Sequence, residues 1–142
     1  MTMRFVRSLA FSLGILSAAS LDACKKPDPA DTLSSVSSEL ATATIAAEAW
    51  VLHRTPNAFT RNELHDARMS VAQQQKTLFT EAVPPVDTTK LRLTLDHAKN
   101  VIATLEGLIA KQDAKSFPSV LTLLEQDAKD VKDMSDSLDP SK

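Results

Sequence analysis

The stretch LRLTLDHAKNVIATLEGLI, residues 91–109, decides the fold. Its apolar residues Leu91, Leu95, Ala98, Val101, Ile102, Leu105, Leu108 and Ile109 recur at three- and four-residue spacings, which gathers them on one face of a helix. A half-buried strand would need alternation with a period of two, and strands find almost no support anywhere in the chain. Asp87 opens this helix, Val86 and Leu91 stand at hydrophobic-staple spacing across its start, and the pattern fades near Asp113.

The same period recurs on both sides. Toward the N-terminus, Leu64, Ala67, Val71, Leu78 and Ala82 mark a second helix. Its expected start is a capping box of Thr60 and Glu63 with a Phe59–Leu64 staple, and Pro84-Pro85 ends it. Further back, Leu33, Val36, Leu40, Ala47, Trp50 and Val51 mark a first helix, with Asp31 as its expected N-cap and a stop before Pro56. Toward the C-terminus, Phe117, Val120, Leu121, Leu124, Ala128, Val131 and Leu138 follow an opening at Ser116 and Pro118 and run to Pro140.

The expected helices are residues 31–54, 60–83, 87–113 and 116–138, each on the order of 30 Å long. Helices of matched length joined by short links predict an all-α, antiparallel up-down-up-down four-helix bundle over residues 31–142. Glycine use agrees. The chain has two glycines, of which Gly107 alone lies beyond residue 24, and the prolines fall mostly between periodic segments.

Of the 142 residues, 16 are Lys or Arg and 18 are Asp or Glu, a formal net charge of −2 with both signs mixed along the chain. That balance excludes nucleic acid as the main partner. Residues 1–23 read as an export signal: Arg4 and Arg7 near the start, an apolar run from Leu9 to Ala19, then small residues. The run is shorter than the roughly 20 residues a bilayer-spanning helix needs, so it reads as removable. Phe5 and Val6 separate the two arginines, so there is no twin-arginine pair and export proceeds by the general route.

Cys24, the only cysteine, follows Leu21-Asp22-Ala23. This end of the chain resembles the bacterial lipoproteins, whose processing box reads leucine, small, small, cysteine. Leu21, Ala23 and Cys24 match and Asp22 departs. The resemblance implies cleavage before Cys24 and lipidation of its thiol, which removes the free cysteine an oxidising compartment would otherwise carry. It also implies, through Lys25, sorting to the outer membrane facing the periplasm. The other reading of the same residues is an ordinary cut after Ala18-Ala19-Ser20, giving a soluble protein with a free Cys24. With cleavage before Cys24, residues 25–30 form a short, proline-stiffened tether of about 20 Å when extended. Lys25 and Lys26 add a weak attraction to anionic head groups, or serve only as polar linker.

No constellation for catalysis is present. A nucleophile needs a base within reach and a third group to orient it, and no motif places three such residues together. The serines Ser34, Ser35, Ser37 and Ser38 read as helix-start chemistry. Glycine-rich phosphate loops, Glu-x-x-His pairs and haem-attachment motifs are all missing from the sequence. The expectation is a protein that is not an enzyme and has no cofactor. The acidic run Asp127–Asp139, interleaved with Lys129 and Lys132, reads as a solvated helix face.

Two features carry sharper expectations. Ala41, Ile45, Ala49 and Leu52 form a second apolar line on the first helix, more than 90° from its core stripe. If exposed, it is a strip for an envelope protein partner or for self-association; burial in a broad core is the competing account. His53 and His65, with Glu63 and Asp66, share one end of the bundle and are the weak candidates for zinc or copper. His97 lies further along. Polar residues also fall at core phase: Thr44, Gln75 and Ser135, with Gln74 flanking, of which Gln75 is expected to fix register or line a small cavity. The function expected is a lipid-anchored protein-binding or structural component of the bacterial envelope, the alternative being a small ligand-, haem- or metal-binding bundle.

Overall fold

The computed structural model describes residues 25–139; the signal segment and Cys24 lie outside the described residues. Four helices follow one another: α1 (Pro29–Val51), α2 (Asn57–Thr80), α3 (Thr88–Ala110) and α4 (Phe117–Asp136), with no strand among the described residues. Each packs against its neighbours in a closed ring, α1 on α2, α2 on α3, α3 on α4 and α4 back on α1, while α1 and α3 also meet across the centre.

Cross-helix pairs give the directions. Between α2 and α3, Arg68 meets Glu106, Gln75 meets Asp96 and Phe79 lies under Arg92, so numbers rise on one helix as they fall on the other. Between α1 and α4, Trp50 and Phe117 stack at one end with ring centroids 4.6 Å apart, and Asp31 and Asp136 share a cleft at the other. The bundle is therefore antiparallel and up-down-up-down, as the periodicity predicts. One end carries both the start of α1 and the close of α4, together with the α2–α3 turn.

The core is built from the residues that keep helical spacing. Leu33, Val36, Leu40, Leu64, Val71, Leu78, Leu91, Leu95, Ile102, Leu105, Ile109, Phe117, Leu124 and Val131 are all fully buried. Each large side chain removed from water contributes roughly 1.5–3 kcal/mol before entropy is charged against it.

Helix ends differ from expectation in instructive ways. Asp28, not Asp31, caps α1: its Oδ1 accepts the Ala30 N–H at 2.8 Å and Pro29 occupies the first helical position, where its missing N–H costs nothing. The Thr60–Glu63 capping box does not form. Extended Pro56 lets α2 begin at Asn57, so Thr60 falls inside the first turn, buried, with its hydroxyl on Thr55 at 2.8 Å and on the Pro56 carbonyl at 3.3 Å. Phe59, the intended staple, is exposed. Asp87 caps α3 as expected, accepting the Lys90 N–H at 3.0 Å. At α4, Ser116 makes no side-chain cap; Asp113 accepts the N–H groups of Lys115 and Ser116, and the Ser116 bonds hold its carboxyl below the ordinary value.

Helices α1 and α3 end alike. In α1 the His53 N–H donates to the Trp50 carbonyl and the Arg54 N–H to Ala49; in α3 the Gln112 N–H donates to Ile109 and the Asp113 N–H to Leu108. These paired bonds form a Schellman motif, which places the residue after the cap in left-handed backbone. Glycine is usual there, yet His53 and Gln112 both stand at φ 55°.

Candidate functional site

The outer stripe of α1 is largely solvent-facing. Ile45 is 66% exposed and Leu52 56% exposed, while Ala41 is exposed and Ala49 half-buried against its neighbours. The helix ends at Val51, so Leu52 sits at the cap and the stripe runs off the end of the helix. Thr44, beside the stripe, is half-buried and returns its hydroxyl to the Leu40 carbonyl at 2.9 Å. Two large side chains flanking small ones make a shallow strip that a helix of another molecule can lie along.

The structure does not bring His53 and His65 together. His53 lies in the α1–α2 turn and lines a cavity of about 390 Å³ with Trp50, Val51, Thr55, Asn57, Gln112 and Ala114. The indole N–H of Trp50 donates to Asn57 Oδ1 at 2.7 Å across this floor. His65 lines a different cleft on the α2–α3 side, with Ala58, Arg61, Asn62 and Glu106. Its Nδ1 lies 3.1 Å from an Arg68 guanidinium nitrogen, which can only donate, so the ring presents a lone pair there. Arg68 also grips both oxygens of Glu106, at 3.3 and 3.2 Å, closing the α2–α3 seam. Among the described residues no three His, Cys, Asp or Glu side chains gather where they could hold a metal ion.

Gln75 is buried and its amide donates to Asp96 Oδ1 at 3.0 Å, with Lys99 on the same oxygen at 2.8 Å. One hydrogen bond thus ties α2 to α3 across their seam. Hydrogen bonds from Lys99 and Gln75 hold the Asp96 carboxyl below its ordinary value. Gln74 turns the other way, into the α1–α2 groove, where its amide donates to Ser70 and its Oε1 finds no protein partner. Ser135 is half-buried near the end of α4.

One group was missed. Asp127 opens the run read as a solvated face, yet it is buried at 6% exposure, with His97 of α3 on its carboxylate. The signal was present: Asp127 stands three residues after Leu124 and four before Val131, inside the core stripe of α4. Beyond it the solvated character holds, with Lys129 paired to Asp133 at 3.0 Å and Lys132 to Asp136 on exposed turns.

Comparison with protein-family models, with curated proteins and with solved structures finds no match to this chain. No helix among the described residues is long and apolar enough to cross a membrane.

Proposed function

We propose that this protein is a lipid-anchored component of the bacterial envelope, facing the periplasm from the outer membrane, that works by binding a helix of another envelope protein along the outer stripe of α1. The observation that carries the binding half is the exposure of Ile45 and Leu52 on either side of small Ala49, two large apolar side chains left in water on one face of α1. The anchoring half rests on the signal-like residues 1–23 and on Cys24 as the one cysteine of an exported chain. A short tether would keep the bundle among envelope partners already concentrated at the membrane, which raises the effective concentration for a weak helix–helix contact.

Two measurements test it. Intact mass of the protein from its native host reads the anchor: a lipid-modified chain starting at Cys24 supports it, and an unmodified chain starting near Leu21 removes it. Photo-crosslinking from position 41, exposed on the same stripe, in cells, with the product identified by peptide mass, reads the partner. Ile45→Lys with Leu52→Lys should abolish that product while leaving the helical content and unfolding midpoint unchanged. Loss of folding would mean the stripe is core. A product containing two copies of this chain would replace the partner with self-association.

A further inference from the structure

We propose that the tether-bearing end of the bundle rests on an anionic lipid surface through the turn between α2 and α3, with Val83 as its apolar tip and Lys76, Lys90 and Arg92 around it. The proposal rests on the lipid-anchor reading of Cys24 for bringing this end to a membrane; what it adds is the face that touches lipid and the lipid charge it selects.

Val83 is 64% exposed in the turn, and Leu93, one turn into α3, is 66% exposed. Between them Phe79 of α2 is half-buried and carries the Arg92 guanidinium 4.2 Å above its ring centre, so a cation is held at the surface on an apolar base. Lys76 near the end of α2 and Lys90 in the first turn of α3 are both exposed, as are Lys25 and Lys26 in the tether. Apolar tips flanked by cations are the chemistry that seats a protein at a head-group boundary.

Most carboxylates of this end gather around α1 and α4. Asp28, Asp31, Asp136 and Asp139 line a cleft between the start of α1 and the close of α4, and Asp28 and Asp31 also border the α1–α2 groove with Thr77. Asp87, within the α2–α3 turn, is committed to capping the Lys90 N–H. Glu81, exposed at the end of α2, opposes the patch, and so does the charge of Asp87, which capping does not remove. The bundle end is thus acidic around α1 and α4, while the α2–α3 turn carries Lys76, Lys90 and Arg92 against Glu81 and Asp87, a net charge of +1, which selects that turn for an anionic surface.

Chain length keeps this end of the bundle close to the bilayer once Cys24 is tied to lipid. Residues 25–28 precede the first helix and span about 14 Å at full extension, little more than the width of one helix. The start of α1 and the end of α2 are neighbours, since Asp31 and Thr77 line one groove. The α2–α3 turn therefore lies about a helix diameter from the start of α1, where the tether enters the bundle.

The test uses the mature protein from an envelope fraction, reconstituted in vesicles, with its N-terminal mass read in the same preparation. Lipidation consumes the only native thiol, so Val83→Cys offers a unique site for an environment-sensitive fluorophore, and Ala114→Cys, exposed at the opposite end, is the control. On vesicles holding phosphatidylglycerol and brominated chains, the position 83 label should shift blue and be quenched, and the position 114 label should not. Lys76→Glu or Lys90→Glu should weaken the quenching equilibrium by about fivefold or more for each cation lost, and 1 M salt should do the same. Position 83 behaving like position 114 in a protein of lipidated mass overturns the docking while the anchor stands. Equal quenching on purely zwitterionic vesicles overturns the selection for anionic lipid. An unlipidated mass removes the anchor reading instead; the Cys24→Ser form of the labelled protein is then titrated with the same vesicles, and quenching at position 83 supports the patch while its absence overturns it.

Discussion

The Nδ1 atom of His97 on α3 lies 2.8 Å from one oxygen of Asp127 on α4 and 3.0 Å from the other, so a half-exposed imidazole is the cover for a buried carboxylate. Both neighbours of that nitrogen are acceptors, which means it carries the hydrogen. Burial pushes the Asp127 carboxyl above its ordinary value of 3.8, against the pull of the His97 hydrogen bond. A carboxyl that protonates more readily folded than unfolded penalises folding while it is charged. The penalty is full above the raised value and disappears as pH falls through it toward 3.8. Asp127→Asn keeps an acceptor for His97 and removes the charge, so it should leave stability at pH 7 unchanged or raise it by about 1 kcal/mol. His97→Ala strands the carboxylate and should cost about 1–3 kcal/mol. Urea unfolding at pH 7 gives the ranking. The gap between Asp127→Asn and the natural chain should narrow as pH is lowered toward 4.

Asp96 works in the opposite sense. Its carboxyl is held below the ordinary value by Lys99 and Gln75, so the stability it adds is present above 3.8 and is lost as pH falls through the lowered value. Gln75→Leu should preserve volume in the core yet remove one bond between α2 and α3, leaving a folded bundle with faster amide exchange along that seam.

Gly107 lies in the interior of α3, where a Cβ would meet nothing within 4 Å. Gly107→Ala should raise stability by about 0.5–1 kcal/mol, the usual gain from removing backbone freedom in the unfolded chain. A shift of the urea midpoint with unchanged slope would verify it. A loss of stability would mean the space is occupied after all.

His53→Gly and Gln112→Gly should each stabilise the protein, by about 1 kcal/mol, because an L-residue at φ 55° carries a strain that glycine does not. Both side chains line the cavity floored by Trp50 and Asn57, so the double variant should depart from the sum of the two single gains. An absence of gain at either position would show that its side chain has contacts worth as much as the strain.

Asn57→Ala removes the acceptor of the Trp50 indole N–H and leaves a largely buried donor unpaired, with an expected cost of about 1–2 kcal/mol. Trp50 is the only tryptophan, so its emission reports this end of the bundle directly. The variant should shift the emission maximum with the rest of the helical signal intact.

The helices and their order were legible because apolar spacing is set by the core each helix must cover, and Leu91 to Ile109 leaves little freedom. Helix starts were less so. Asp28 and Asp31 are both plausible caps three residues apart, and what separates them is Pro29, which suits a first helical position better than a tether. At α2 the Thr60–Glu63 signature was overruled by the backbone: Pro56 in extended conformation starts the helix earlier, and the Thr60 hydroxyl then finds Thr55. Gln75 could be placed at core phase from sequence, but its partner Asp96 could not, because the offset between two helices is set by all the packing between them. Asp127 was hidden by its company. Read as the head of a charge run it looks solvated, and read by phase it falls in the stripe of Leu124 and Val131.

An even number of helices returns the chain to where it began. Asp28 and Asp139 border the same cleft, so a protein inserted after residue 139 would leave the bundle beside the start of α1 and crowd whatever holds the chain there. The turn at 111–116 is the place for a reporter, since it projects from the far end and its residues carry little of the core. The same closeness of ends permits the chain to be rejoined there by a short linker and opened in that turn, giving a permuted bundle with an unchanged core and its N-terminus moved to the opposite pole.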